Sequence, residues 1–454
     1  MLDLRILRDD PDLLRDNLAI RKIPVFDDLP VDAPDWAAKT VDRLRKLDEE
    51  YRRLLEEEER LRHEQKRIAD EMKALGRLPR DEQAARRRPL VEEGRTLRER
   101  ERLLADRVAE ARAARDAAWS KVPNLTHPDA PRGDGDDAHR ELRRVGTMRD
   151  FEAEGFAPKD HLTLAEGLGI VDFEAGAKVA GQKFYYLVED GAMLDLALQM
   201  YALEVARRHG FRLHVTPDLA RAEIVAGLGF QPRGPSTQIY SVEGTDLCLV
   251  GTAEITLGGM LADEILDAED LPILLAGLSH CFRTEAGSAG QESKGLYRVH
   301  QFTKVELFAF THGDVQVSDA MHRRFLDIEI EIFEGLGIPF RVLDMATGDL
   351  AAPAYRKYDL EAHLPGRGGW GEITSTSNCT DYQARRLKIR YRDPEAADRR
   401  RGRNRFVHMV NGTAVATSRA IVAILEHYQQ ADGSVVVPEV LRRWVGKDVL
   451  VPRA

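Results

Sequence analysis

The chain has 454 residues, 43% hydrophobic and 32% charged, with a formal net charge of −10. That length allows about three domains, and the absence of any apolar run near 18 residues excludes a membrane-spanning helix. The acidity argues at face value against a polyanionic partner, and three scattered cysteines (Cys248, Cys281 and Cys379) fit a reducing cytoplasm and exclude zinc-ligand spacing.

Residues 1–35 are mixed, with a helical pattern over 11–20, an acidic Asp9-Asp10 pair and neither a signal-peptide core nor transit-peptide character. From Trp36 the pattern becomes heptad-like: Val41, Leu44, Leu47, Tyr51, Leu54, Leu61, Ile68, Met72 and Leu75 step by threes, fours and sevens. Gly76-Arg77-Leu78-Pro79 breaks it, since Gly ends a helix and Pro discourages continuation. A second arm then repeats at sevens through Leu90, Leu97, Leu104, Ala111 and Ala118. Two such runs joined by a short turn predict an antiparallel coiled-coil hairpin. Each arm of about 40 residues would reach on the order of 60 Å.

The charge average hides this hairpin. Residues 37–121 hold about 24 Lys and Arg against about 20 Asp and Glu, roughly +4, so the remainder sits near −14. Arg86, Arg87, Arg88, Arg95 and Arg98 decorate the second arm, followed by Arg100 and Arg102. A dimerising or spacer coil is one reading of such a hairpin. The other is an arm that reaches a phosphate backbone, where affinity is chiefly electrostatic.

Residues 122–150 carry Pro123, Pro128, Pro131 and an Arg-Gly-Asp-Gly-Asp-Asp run, which is linker composition. Beyond them, short β-like runs (184–188 and 247–250) alternate with amphipathic helices such as 195–209. The fold class read from this is α+β: a hairpin domain (1–121), a linker (122–150), and a body (151–454) built on a mostly antiparallel sheet flanked by helices. No GxGxxG or GxxxxGK[ST] string is present, so a nucleotide would not be held in a Rossmann or Walker manner.

Four stretches of the body carry chemistry. Gly251-Thr252-Ala253-Glu254 puts a hydroxyl and a carboxylate on one face if extended, or reads as a helix start capped by Thr252. Cys281-Phe282-Arg283-Thr284-Glu285 and Arg298-Val299-His300-Gln301-Phe302-Thr303-Lys304-Val305-Glu306 read as two β segments. They carry arginine forks suited to phosphate and carboxylates suited to an ammonium group, or simply a surface ion pair. Glu372-Ile373-Thr374-Ser375-Thr376-Ser377-Asn378 offers oxygen ligands of the kind Mg²⁺ takes, or a Ser/Thr-rich edge strand. Asn411-Gly412-Thr413 leads through small residues to Arg419 at the start of an apolar helix, where a guanidinium can lie over a base.

Together these stretches resemble the class II aminoacyl-tRNA synthetases, and in detail the seryl-tRNA synthetases. The 281–306 segment is similar to motif 2, the 411–419 segment to motif 3, and 211–217 with the helical stretch after Pro217 to motif 1, the dimer-forming segment. The resemblance implies a homodimer that joins L-serine to tRNA(Ser), and to tRNA(Sec), using ATP and Mg²⁺, with no zinc and no membrane. Arg283, Glu306 and Arg419 would be catalytic. Thr252, Ala253, Glu254, Arg283, Glu306 and Thr413 would hold serine. Arg283, Thr284, Glu285, Arg298, Val299, Phe302, Arg419 and the run Glu372, Ile373, Thr374 and Ser375 would hold ATP, with Glu372 and Ser375 also taking the metal. The hairpin would grip the long variable arm of the tRNA through Arg86, Arg87, Arg88, Arg95 and Arg98. The loop 288–295 lacks arginines usual in many bacterial members and looks like the organellar branch. A paralogue that activates serine for a carrier protein or metabolite would have no need of the hairpin.

Overall fold

In the computed structural model the described residues are 1–77, 79–231, 237–286, 295–393 and 404–453. The chain divides into two units, Met1–Pro123 and Asn124–Ala454.

In the first unit the heptad prediction becomes two long helices, α1 (Trp36–Leu75) and α2 (Arg80–Ser120). Residues seven apart return to the same helix face when the helices wind about each other. Leu54, Leu61 and Ile68 of α1 accordingly bury against Leu97 and Leu104 of α2, with Met72, Leu90 and Ala111 extending the seam. The antiparallel register is read from polar contacts on its flanks: Gln65 Nε2 donates to Glu101 at 2.7 Å and Arg67 Nη2 to Glu93 at 2.8 Å. At the base, Arg8 and Arg115 both meet the buried Asp48 carboxylate, and Trp119 Nε1 donates to the Leu2 carbonyl at 2.9 Å.

The second unit is organised by an eight-stranded sheet. Its strands are β1 (Arg140–Val145), β2 (Arg212–Val215), β3 (Ile273–Phe282), β4 (Gln301–Thr311), β5 (Phe340–Asp344), β6 (Arg356–Leu364), β7 (Gly369–Thr380) and β8 (His408–Ala416). The order across the sheet is β1-β5-β6-β7-β8-β4-β3-β2, antiparallel throughout except for the β2–β3 pair. β1 lies within the stretch read from composition as a linker, yet it pairs with β5 as an edge strand. Composition misleads there because an edge strand exposed along its length needs no apolar alternation.

Three helices cover one sheet face: α3 (Asp190–Arg208), α5 (Val315–Gly335) and α6 (Thr417–Tyr428). Strand alternation sorts the side chains of β4 between faces. Val305, Leu307 and Ala309 join the helical core, whereas Phe308 and Phe310 join a smaller cluster on the other face with the short helix α4 (Ala253–Gly259). Phe302, Lys304 and Glu306 share that other face and open onto a cleft.

Two β-bulges shape the cleft floor. Register slips between Leu360–Thr374 and Glu361–Glu372 leave Ile373 as the extra residue on β7, and a slip between Thr413 and Val415 leaves Ala414 extra on β8. A bulge lets residues three apart face the same way. Glu372 and Ser375 therefore both reach the cleft, as do Thr413 and Ala416, while Ala414 and Val415 are buried among the helices.

Candidate active site

The cleft encloses about 320 Å³ and is floored by β4, β6, β7 and β8. Most residues expected from the sequence line it: Thr252, Glu254, Arg283, Glu285, Arg298, Val299, Phe302, Glu306, Glu372, Ile373, Thr374, Ser375, Thr413 and Arg419. Two expected residues do not. Ala253 is buried in the core beneath α4. Thr284 turns its hydroxyl to the Thr237 carbonyl at 2.8 Å and its amide to the Gln238 carbonyl. The extended reading of Thr252–Glu254 is also corrected: Thr252 is the N-cap of α4, its hydroxyl accepting from the Glu254 amide at 3.2 Å.

One group of residues is built around two buried carboxylates. Glu254 Oε1 accepts from Gln383 Nε2 at 2.6 Å and from Asn411 Nδ2 at 3.2 Å. Glu306 pairs with Lys304, and the Thr413 hydroxyl donates to it at 3.4 Å. Burial, helped by the nearby charge of Glu306, pushes the Glu254 carboxyl up to about 7. Burial likewise raises Glu306, against the pull of Lys304.

The other group is cationic. Arg419 Nη1 meets Glu372 Oε1 at 2.9 Å and lies 5.0 Å from the Tyr297 ring centroid. Tyr297 in turn donates its hydroxyl to the Glu372 carbonyl at 2.9 Å. Burial alone would raise the Glu372 carboxyl, but Arg419, Lys357 and Arg283 hold it down at about 2. Arg283 acts on both groups; its guanidinium lies 5.3 Å from the Phe302 ring centroid and its Nε donates to the Gly251 carbonyl at 3.3 Å. Arg298 Nη1 meets Glu285 Oε2 at 3.4 Å. Glu285 takes a left-handed φ of 51° just before residues 287–294, which carry most of the loop expected to be organellar-like and lie outside the described residues.

An ammonium group fits between the two acids, and an anionic chain fits between the arginines. Glu372, held anionic beside the Ser375 hydroxyl, is a donor set of the kind Mg²⁺ accepts together with phosphate oxygens. Among the described residues no cluster of three or more His, Cys, Asp or Glu is arranged for a metal ion, and no helix is long and apolar enough to cross a membrane.

Comparison with known proteins agrees with this geometry. The class II tRNA synthetase core domain (G, H, P, S and T) matches residues 239–428, and the seryl-tRNA synthetase N-terminal domain matches residues 1–126. A serine–tRNA ligase from Rubrobacter xylanophilus is 50% identical over 100% of this chain and 99% of its own. The chain belongs to the seryl-tRNA synthetase family. A second relative, the serine–tRNA ligase of Treponema denticola, is 54% identical over 80% of this chain and 84% of its own. A seryl-tRNA synthetase from Pyrococcus horikoshii, solved as a complex with ATP, superposes with a TM-score of 0.87 at 39% identity, with both chains covered completely. The synthetase core match spans every cleft-lining residue except Phe230.

Several lining residues of this seryl-tRNA synthetase family member escaped the sequence reading. Lys304 and Asn411 carried a usable signal, since each stands two residues before an expected site residue and so shares its strand face. Tyr297 directly precedes the expected Arg298, whereas Lys357, with Gln383 behind the lining, comes from an element that no local pattern connects to the motifs.

Proposed function

We propose that this chain is a serine–tRNA ligase that activates L-serine with ATP and transfers the seryl group to the 3′ end of tRNA(Ser), and of tRNA(Sec). The observation that carries the reading is the division of one cleft into a buried acidic pair, Glu254 and Glu306, and a cationic region around Arg283 and Arg419. That division matches a substrate pair with an ammonium at one end and a triphosphate at the other. Full-length identity with serine–tRNA ligases and likeness to an ATP-bound synthetase support it.

In this reading Glu306 and Glu254 take the serine ammonium, with Thr252 beside them, and Thr413 reads the serine hydroxyl. A serine carboxylate oxygen attacks the α-phosphorus, the bond to the β-phosphate breaks, and pyrophosphate leaves. Arg283 bridges the serine carboxylate and the α-phosphate and neutralises the charge that develops there. Phe302 and Arg419 close on the adenine, while Glu285, Arg298 and Val299 position the nucleotide. Glu372 and Ser375 would hold Mg²⁺, which would supply further charge neutralisation on the phosphates. The terminal ribose hydroxyl of the tRNA then attacks the seryl carbonyl, and AMP leaves. No covalent enzyme intermediate is needed. A hydrogen-bonded serine pocket rejects alanine because the missing hydroxyl strands buried polar groups.

Arg86, Arg87, Arg88, Arg95 and Arg98 are exposed along α2 and are the contacts proposed for the long variable arm. A homodimer is supported by an exposed apolar row, Met193, Leu196 and Met200 on α3 with Leu213 and Val215 on edge strand β2. This row precedes Pro217; after it come a short strand, Leu219–Arg221, and a helix that starts only at Ala222. The enzyme would work in the cytoplasm.

The test is serine-dependent ATP–pyrophosphate exchange together with charging of a long-variable-arm tRNA with labelled serine. Both activities are expected. Exchange without charging would point instead to serine activation for a carrier protein or metabolite, and no serine-dependent exchange would overturn the proposal.

A further inference from the structure

Behind the cleft floor, on the helical side of the sheet, Glu329 of α5 is fully buried. No hydrogen-bond partner meets either of its carboxyl oxygens among the described residues, and a carboxylate in that setting carries a large desolvation cost. Its surroundings are set by Gly412 of β8. A Cβ placed on Gly412 would lie 2.7 Å from Glu329 Oε1, 3.0 Å from the Thr376 hydroxyl and 3.1 Å from the Phe325 ring. The Thr374 hydroxyl also acts on the Glu329 carboxyl.

The two threonines are already committed as donors. Thr374 Oγ1 donates to the Thr413 carbonyl at 2.6 Å, and Thr376 Oγ1 donates to the Asn411 carbonyl at 2.8 Å. A hydroxyl has one proton, so both oxygens can only accept anything further. A group facing them must therefore donate, and only a neutral carboxylic acid does. Burial drives the Glu329 carboxyl well above its usual range; Thr374 and the charge of Lys304 oppose that rise, and the nearby charges of Glu306 and Asp359 reinforce it.

These bonds run between β7 and β8 at the end of their ladder, which closes at the Thr376–Gly412 pair. The residues whose carbonyls they hold point their side chains into the cleft: Asn411 reaches Glu254 at 3.2 Å and Thr413 reaches Glu306 at 3.4 Å. We propose that Glu329 is a positioning residue for serine selection, a buried neutral acid whose single proton can be given to the Thr374 or the Thr376 hydroxyl oxygen and so helps to keep Asn411 and Thr413 in register beneath the acidic pair. The proposal rests on the assignment of that end of the cleft to serine, and it adds a residue that touches no substrate.

The experiment is ATP–pyrophosphate exchange by the full-length protein, with KM for serine and for ATP measured separately in Glu329→Gln, Glu329→Met and Gly412→Ala. Glutamine keeps a donor without a charge and should leave serine KM within about twofold, whereas methionine removes the donor and should raise it about tenfold with ATP KM little changed. Gly412→Ala, which crowds the same carboxyl, should give the same serine-selective loss. An E329Q variant as impaired as E329M would show that the negative charge matters and overturn the proposal. So would an unaffected E329M, or equal losses for serine and ATP. If E329M does not fold, infrared difference spectra of wild type against E329Q at neutral pH decide, because a protonated-carboxyl stretch must disappear in the variant and its absence from wild type overturns the idea. Failure of the wild-type protein to exchange with serine would instead sink the serine–tRNA ligase reading itself.

Discussion

The helical hairpin and the catalytic cleft are built on opposite uses of periodicity. Along the hairpin the repeat of seven is kept, and Leu54, Leu61, Ile68, Leu97 and Leu104 meet because nothing interrupts it. In the cleft the repeat of two is broken twice, at Ile373 and Ala414, and those breaks turn Glu372, Ser375, Thr413 and Ala416 toward one space. Regular spacing makes a stable surface for a long partner. A convergent site needs side chains that regular strands would point apart.

The largest effect that would test this contrast is expected from Arg419→Ala. It removes the partner of Glu372 and the main cation of the phosphate region, so serine-dependent exchange should fall by about 10³-fold in kcat/KM. RNA binding measured by filter retention should be unchanged, and a loss of exchange below about tenfold would break the assigned role.

Next comes the reciprocal experiment on the hairpin. Leu61→Asp with Leu97→Asp buries two charges in the seam, each costing several kcal/mol, about what a small coiled coil can withstand in total. Helicity by circular dichroism and charging of tRNA should both collapse, while exchange stays within about twofold because the cleft is lined by residues of the second unit alone. A parallel loss of exchange would mean that the two regions are energetically coupled.

A smaller effect concerns pH. The Glu254 carboxyl, ordinarily near 4.5, sits at about 7 in the folded protein. The folded state thus keeps a proton that the unfolded chain releases, and its contribution to stability is complete below 4.5 and lost as pH rises toward 7. Glu306 is raised too and acts in the same direction. Thermal midpoints of ligand-free Glu254→Gln should therefore decline less than wild type across that window. Equal slopes would mean that Glu254 is ionised in the fold.

The smallest effect belongs to single arginines of the exposed arm. Arg95→Ala should weaken tRNA binding modestly and lower the slope of log affinity against log salt by about one. An unchanged slope would remove Arg95 from the proposed contact set.

Legibility differed between the two regions for the same reason. The seam was readable almost residue by residue, including the break at Gly76–Pro79, because coiled-coil contacts recur at fixed sequence intervals. The strand pair carrying Arg283 and Glu306 was readable as well. The edge strand β1 was hidden in linker-like composition, and Thr252 had two local readings that only the start of α4 separates. Gln383, Lys357 and Glu329 carried no signal, since each acquires its meaning from a neighbour on another element.

By itself the sequence determined the helical hairpin, the mostly antiparallel α+β body and the residue types that meet in the cleft, because helix and strand periods and motif spacing are properties of neighbouring residues. Only the tertiary structure decided that Glu372 and Ser375 share a face, that Glu254 is buried close enough to Glu306 for that charge to raise its proton affinity, and that a buried carboxyl lies behind Gly412. Those outcomes depend on where bulges fall and on how far water is excluded, and both are settled between strands rather than along one.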